Sequence, residues 1–273
     1  MLIDTHCHLD AAEFGENQTA LLQAAQAAGV SRIVVPSVSV DNFSAVQKLC
    51  ENYPDCFPAY GIHPMLVDDA TDQDLVILRD YLGAHHPLAI GEIGLDFFIE
   101  HYDQARQEHY FAEQLSLARE FDLPVLIHSR KAMDTVLKHL RIFYGGGGLT
   151  SSGSGQASVK LKTGIVHAFS GSRQQADEFI RLGFKLGFGG AATYPRATRL
   201  RDLAATLPLS CIVLETDAPD MPPEFIERGQ PNKPEYLPRI AQILAGLRGI
   251  TPDELATATT ENALSVLNLP RPL

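Results

Sequence analysis

Leu2-Ile3-Asp4-Thr5-His6-Cys7-His8-Leu9-Asp10 decides how the rest of the chain is read. Leu2–His8 reads as a short strand, apolar where it starts and polar where it ends. An open, doubly wound sheet usually carries a glycine-rich phosphate loop after its first strand. Here the turn His6–Asp10 contains no glycine. Polar residues gathered at a strand's C-terminal end suit a closed barrel instead, because such ends converge on one mouth.

The pattern repeats along the chain. Further strand candidates are Arg32–Val38, Phe57–His63, Leu88–Leu95, Pro124–His128, Gly164–Phe169, Phe184–Gly189 and Cys211–Asp217. Several are plain apolar runs, as expected of parallel strands buried on both faces. Helical patterns separate them at Asn17–Ala28, Asp41–Asn52, Asp72–Ala84, Tyr102–Phe121, Ala132–Phe143, Arg173–Leu182 and Arg199–Leu207. Glu235–Leu247 follows the last strand, and Thr251-Pro252-Asp253-Glu254 opens a final helix with a Thr cap and Pro at the first position. Eight alternating strand-helix units need roughly 250 residues. The expectation is therefore an α/β fold, a single (β/α)8 TIM barrel over residues 1–273. Tyr144–Gln156 (YGGGGLTSSGSGQ) reads as a flexible Gly/Ser-rich loop insertion between a helix and the next strand.

Composition narrows the class. A hydrophobic share of 45% with 20% charged residues is enough for a core. No run of about 18 uncharged apolar residues offers a membrane span. The start lacks a basic segment followed by an apolar one, so a cytoplasmic location is expected. Twenty-two basic against 33 acidic residues give a net charge of −11. A protein that grips long duplexes through many phosphates is usually basic, so that role is disfavoured. A local cationic pocket or a bound metal remains compatible. Cys7, Cys50, Cys56 and Cys211 form no CxxC pair and read as reduced thiols. No obligate protein partner is evident.

Donor side chains recur at the strand ends. His6 and His8 are two apart, so in a strand both rings share a face and reach one ion. Glu92 lies inside an apolar strand, where a carboxylate needs a cationic partner or a metal. His128 ends the fifth strand, His167 lies on the sixth and Asp217 ends the eighth. Imidazole and carboxylate together are the ligand set of borderline and hard divalent metals. Asp217 is the candidate general base, with Glu215 supporting it. Glu92 and His63 are further catalytic candidates, His63 by orienting a substrate oxygen. Arg130 could face an anionic substrate or make a surface salt bridge; Arg173 and Arg196 are weaker candidates of the same kind. His85, His86, His101, His109 and His139 are assigned to the surface.

Taken together, five segments resemble the TatD family of metal-dependent hydrolases (TatD-related deoxyribonucleases). They are Asp4–His8, Gly91–Asp96, Pro124–Arg130, His167–Gly171 and Glu215–Pro219, in family order. Tyr194–Ala197, Asp217–Pro222 and Gly229–Asn232 look most like its YjjV-type branch. The resemblance implies an amidohydrolase-like barrel holding two divalent ions, of Zn, Mn, Mg, Ni or Co. By motif, His6, His8 and Asp217 would hold one ion, His128 and His167 the other, and Glu92 would bridge them. The implied activity is a phosphodiesterase or deoxyribonuclease acting on DNA ends, single-stranded ends included. The segment Gln230-Pro231-Asn232-Lys233-Pro234 departs from the Arg-Asn-Glu-Pro run of nuclease-like members.

Two alternatives accompany this reading. One is an amidohydrolase-like enzyme cleaving a small ester, lactone or cyclic amide. Many of those carry a modified Lys on the fourth strand, where this chain offers Glu92. The other is a non-catalytic metal-bound scaffold, whose structural sites close with four protein ligands, usually including Cys.

Overall fold

The computed structural model describes residues 1–144 and 162–271. Eight parallel strands form one sheet in sequence order: β1 (Leu2–Asp4), β2 (Val30–Pro36), β3 (Cys56–Tyr60), β4 (Ala89–Asp96), β5 (Val125–Arg130), β6 (Gly164–Val166), β7 (Lys185–Phe188) and β8 (Ile212–Leu214). The helices between them are α1 (Gln18–Ala28), α2 (Phe43–Asn52), α3 (Asp72–His85), α4 (Gln104–Glu120), α5 (Met133–Tyr144), α6 (Arg173–Arg181) and α7 (Thr198–Thr206). α8 (Leu237–Arg248) and α9 (Pro252–Leu267) follow the last strand. β1 and β8 meet just above their ends, where Thr5 N donates to Leu214 O at 3.0 Å and Cys7 bridges to Ala218. This is the nearly closed TIM barrel that the strand-helix alternation predicts.

Several strands stop sooner than the apolar runs suggest. β1, β3, β6 and β8 fall furthest short, ending at Asp4, Tyr60, Val166 and Leu214, not at His8, His63, Phe169 and Asp217. Beyond those points single hydrogen bonds replace a continuous ladder. Asp217 N donates to His6 O at 2.8 Å, and His8 N to Ala218 O at 2.8 Å. Asp217 itself is not extended: its φ is 58°. Of Tyr144–Gln156, residues 145–156 lie outside the described residues.

The bottom of the barrel is plugged. Ile3, Val34, Ala59, Ala89, Leu126, Ile165 and Val213, drawn from seven strands, pack in one cluster with Ala263, Leu264 and Leu267 of α9. Residues from so many strands meet only in the lumen, so α9 caps the N-terminal end. Thr251 starts that helix as expected, its hydroxyl accepting from Glu254 N while Thr251 N donates to the Glu254 carboxylate. Each fully buried Leu here contributes about 1.5–3 kcal/mol. No helix among the described residues is long and apolar enough to cross a membrane.

Candidate metal centre

The plug sets the direction of the side chains above it. Two residues beyond Leu126, Ile165 and Val213 stand His128, His167 and Glu215. Period-two alternation turns all three into the lumen, one layer above the apolar floor. Gly187 makes room for Glu215, since a Cβ there would lie 2.1 Å from Glu215 Oε2. Glu92 needs a different explanation. It lies three positions past the inward Ala89, so strict alternation would turn it outward. The register of β4 against β5 shifts between Ile90 and Ile93, and such an irregularity re-aims a side chain. Glu92 ends 2% exposed among the histidines.

The two oxygens of Glu92 face different groups. Oε2 lies 3.0 Å from His6 Nε2 and 3.5 Å from His8 Nε2. Oε1 lies 2.9 Å from His128 Nδ1, 2.6 Å from His167 Nε2 and 3.4 Å from His63 Nε2. Asp217 Oδ1 completes the first side, 3.7 Å from His6 Nε2 and 3.9 Å from His8 Nε2. Donor atoms of His6, His8 and Asp217 fall within 4.8 Å of one another, and so do those of His63, Glu92 and His128. The rings of His6 and His167 stack with centroids 3.9 Å apart. Every residue expected at the site therefore converges there. His63 sits closer in than its expected role of orienting substrate: Nδ1 accepts from Met65 N, which places its proton on Nε2, toward Glu92.

Burial and charge oppose each other throughout the cluster. Burial would raise the Glu92 carboxyl, but His167, His6 and His63 hold it well below the usual carboxylate range. Burial would lower His167 and His8, yet Glu92 pushes them up to about 10 and about 9. His6, fully buried, is pushed down to about 3 by burial and by His167. Burial raises Asp217, and raises Glu215 to about 8.

The donor set fits divalent cations. Imidazole nitrogens face each other at 3.3 Å (His6 and His8) and 3.4 Å (His128 and His167). Lone pairs that close, beside carboxylates, need a cation between them: a proton for one pair, or a metal for several.

Further residues build the surroundings of the centre, and two of them, Gln107 and Gln114, lie outside its motifs. Asp4, fully buried, accepts from Thr216 N at 2.9 Å and Thr216 Oγ1 at 2.6 Å, tying the β1 end to the β8 end. Burial pushes its carboxyl up to about 7. Gln107 and Gln114 of α4, both buried, clamp the backbone of Asp96 and Ile62 through paired hydrogen bonds. Their spacing, in step with Phe111 and Leu115, was the available signal. Asp96 Oδ2 lies 2.9 Å from His128 Nε2, fixing that ring from the far side. Asn232 Nδ2 donates to Thr216 O at 2.7 Å, anchoring the segment after β8. Arg130 lies at the rim, 3.9 Å from Asp96 Oδ2 and 3.8 Å from the Phe98 ring centroid. Arg173 instead pairs with Asp177 on its own helix. His85, His86, His101 and His109 are exposed as expected. His139 is half-buried and bonded to Glu108 at 2.9 Å, because Glu108 of α4 reaches across to α5.

The centre opens into a cavity of about 820 Å³, with Met65 and Leu66 on one side and Ala191 and Met221 on the other. The sequence profile described as TatD related DNase matches residues 3–268. The chain belongs to the TatD family. It is 42% identical over 270 residues to the uncharacterized metal-dependent hydrolase YjjV of Escherichia coli K12, covering 98% of each chain. The crystal structure of that TatD homologue superposes with a TM-score of 0.90 over 98% of both chains. The 3′-5′ ssDNA/RNA exonuclease TatD of Rahnella sp. is 30% identical over 267 residues, with 96% of each covered. This member of the TatD family is thus a metal-dependent hydrolase acting on ester bonds.

Proposed function

We propose that this chain is a two-metal phosphodiesterase acting on nucleic-acid ends, with single-stranded DNA ends among its substrates. One observation carries the two-metal part: Glu92 presents Oε2 to His6 and His8 and Oε1 to His128 and His167. A carboxylate so divided joins two half-sites. His6, His8 and Asp217 would hold one ion, and His128 and His167 the other, with His63 beside the second. The nucleic-acid part is supported by the kinship with the exonuclease. The same reading takes residues 1–273 as one hydrolase domain.

Two divalent ions held by these residues would supply Lewis acidity to the phosphoryl oxygens and would lower the pKa of bound water. The chain's own groups do the rest. Asp217 faces His6 and His8 with Oδ1, while Oδ2 accepts no hydrogen bond among the described residues. That oxygen takes the proton from the attacking water. Asp96 holds the His128 ring, and Glu215, 4.0 Å from His167 Nδ1, steadies the His167 side. Nε2 of His63 keeps its proton at Glu92 Oε1, within reach of a substrate oxygen entering from the cavity. Water would be confined by the apolar floor below.

The test is turnover by the manganese-loaded protein on single-stranded DNA with free 3′ ends, a nitrophenyl phosphodiester, and a lactone. Cleavage of both phosphodiesters, abolished by chelator and restored by metal, is expected. Lactone turnover without phosphodiester turnover would overturn the proposal.

A further inference from the structure

A second basin adjoins the centre, of about 340 Å³, lined by Ala191, Tyr194, Arg196, Ala197, Met221 and Pro222. Ala191 and Met221 line both cavities, so the basin borders the cavity of the centre. The basin is built from the segments after β7 and β8, which include Tyr194–Ala197 and Met221–Pro222. Two features bring these segments together. Tyr194 donates its hydroxyl to Pro222 O at 3.0 Å. Gly190 permits the close approach, since a Cβ there would lie 2.1 Å from Met221 O.

The lining combines apolar side chains with an aromatic ring and one cation. The Arg196 guanidinium lies 5.2 Å from the Tyr194 ring centroid and is exposed. In a chain of net charge −11, an exposed cation beside the site adds local positive potential. An apolar wall with a ring and a guanidinium suits a planar, electron-rich heterocycle joined to a phosphate. We infer that this basin is the subsite for the nucleobase next to the bond being cut. The inference rests on the phosphodiesterase reading and adds which part of the substrate is gripped, and by which residues. Recognition by stacking is tolerant of base identity, so the subsite favours nucleotides over simple phosphate esters without selecting a sequence.

The experiment compares adenosine 5′-monophosphate with ribose 5-phosphate, which lacks only the base, by calorimetry on the manganese-loaded protein. Wild type should bind the nucleotide at least about tenfold more tightly. Ala197→Leu, at a position that lines the basin but not the centre's cavity, fills the basin and should erase that advantage. Arg196→Gln, at an exposed position that leaves folding undisturbed, should reduce it at least about fivefold. Ribose 5-phosphate affinity should not change in either variant. Equal affinity for the two ligands, or an advantage that survives Arg196→Gln, overturns the inference. If nitrophenyl phosphodiester turnover persists in that case, only the subsite is wrong. If wild type shows no such turnover, the phosphodiesterase reading fails and the subsite with it.

Discussion

The two ends of this barrel are made from the same strands and behave as different materials. At the bottom, Ile3, Val34, Leu126, Ile165 and Val213 meet α9 in an apolar layer. At the mouth, two residues further along three of those strands, His128 and His167 meet the buried carboxylate of Glu92 and Glu215 stands behind His167. The floor gains stability by excluding water from surface that needs no partner. The mouth gives stability up, because its charges are buried and pair only with one another. Alternation along a parallel strand is what lets a rigid floor aim a costly cluster.

The contrast can be broken by mutation at either end. Asp217→Asn keeps the shape and one oxygen donor at the mouth but cannot accept a proton. Steady-state kinetics should show kcat lowered about 10²–10⁴-fold, with the melting temperature near wild type. Turnover above a tenth of wild type at saturating metal would transfer the base role elsewhere, His63 being next. At the floor, Leu267→Ala should cost about 2–5 kcal/mol in denaturant unfolding while kcat per folded molecule holds. A fall in kcat matching that of Asp217→Asn would show that the two ends are not separable.

Smaller effects sharpen the boundary between them. Glu215→Gln and Asp96→Asn each touch a histidine of the centre, and each should lower turnover about tenfold. Neither should match Asp217→Asn. Away from both ends, Arg79→Ala removes an exposed pair with Glu120 at 2.6 Å. It should leave both the unfolding free energy and kcat indistinguishable from wild type.

The order of strands and helices was legible because apolar runs and caps are local signals. The donors at the mouth were legible because they stand at strand ends in pairs and singles that burial alone does not explain. What the chain concealed is non-local. β1 and β8 read as running to His8 and Asp217, since an extended chain looks the same with or without a ladder partner. Asp217 was expected to end the eighth strand, yet it adopts a φ of 58° and is not extended. It reaches His6 and His8 from that turn instead. The inward aim of Glu92 depends on a register shift against β5 that no single strand reveals. Gln107 and Gln114 read as ordinary polar residues until the backbone groups they hold are brought to them. His139 was misplaced for the same reason, since its partner Glu108 sits on a different helix.

The central claim is that Glu92 joins two half-sites through its two oxygens. Elemental analysis of metal content, after loading with manganese or zinc and removal of free ion, tests it directly. Wild type should retain about two ions per chain, His128→Ala about one, and Glu92→Gln markedly fewer than His128→Ala, because losing a shared charge weakens both sites. Full occupancy in Glu92→Gln, or loss of only one ion in that variant, would contradict the bridge.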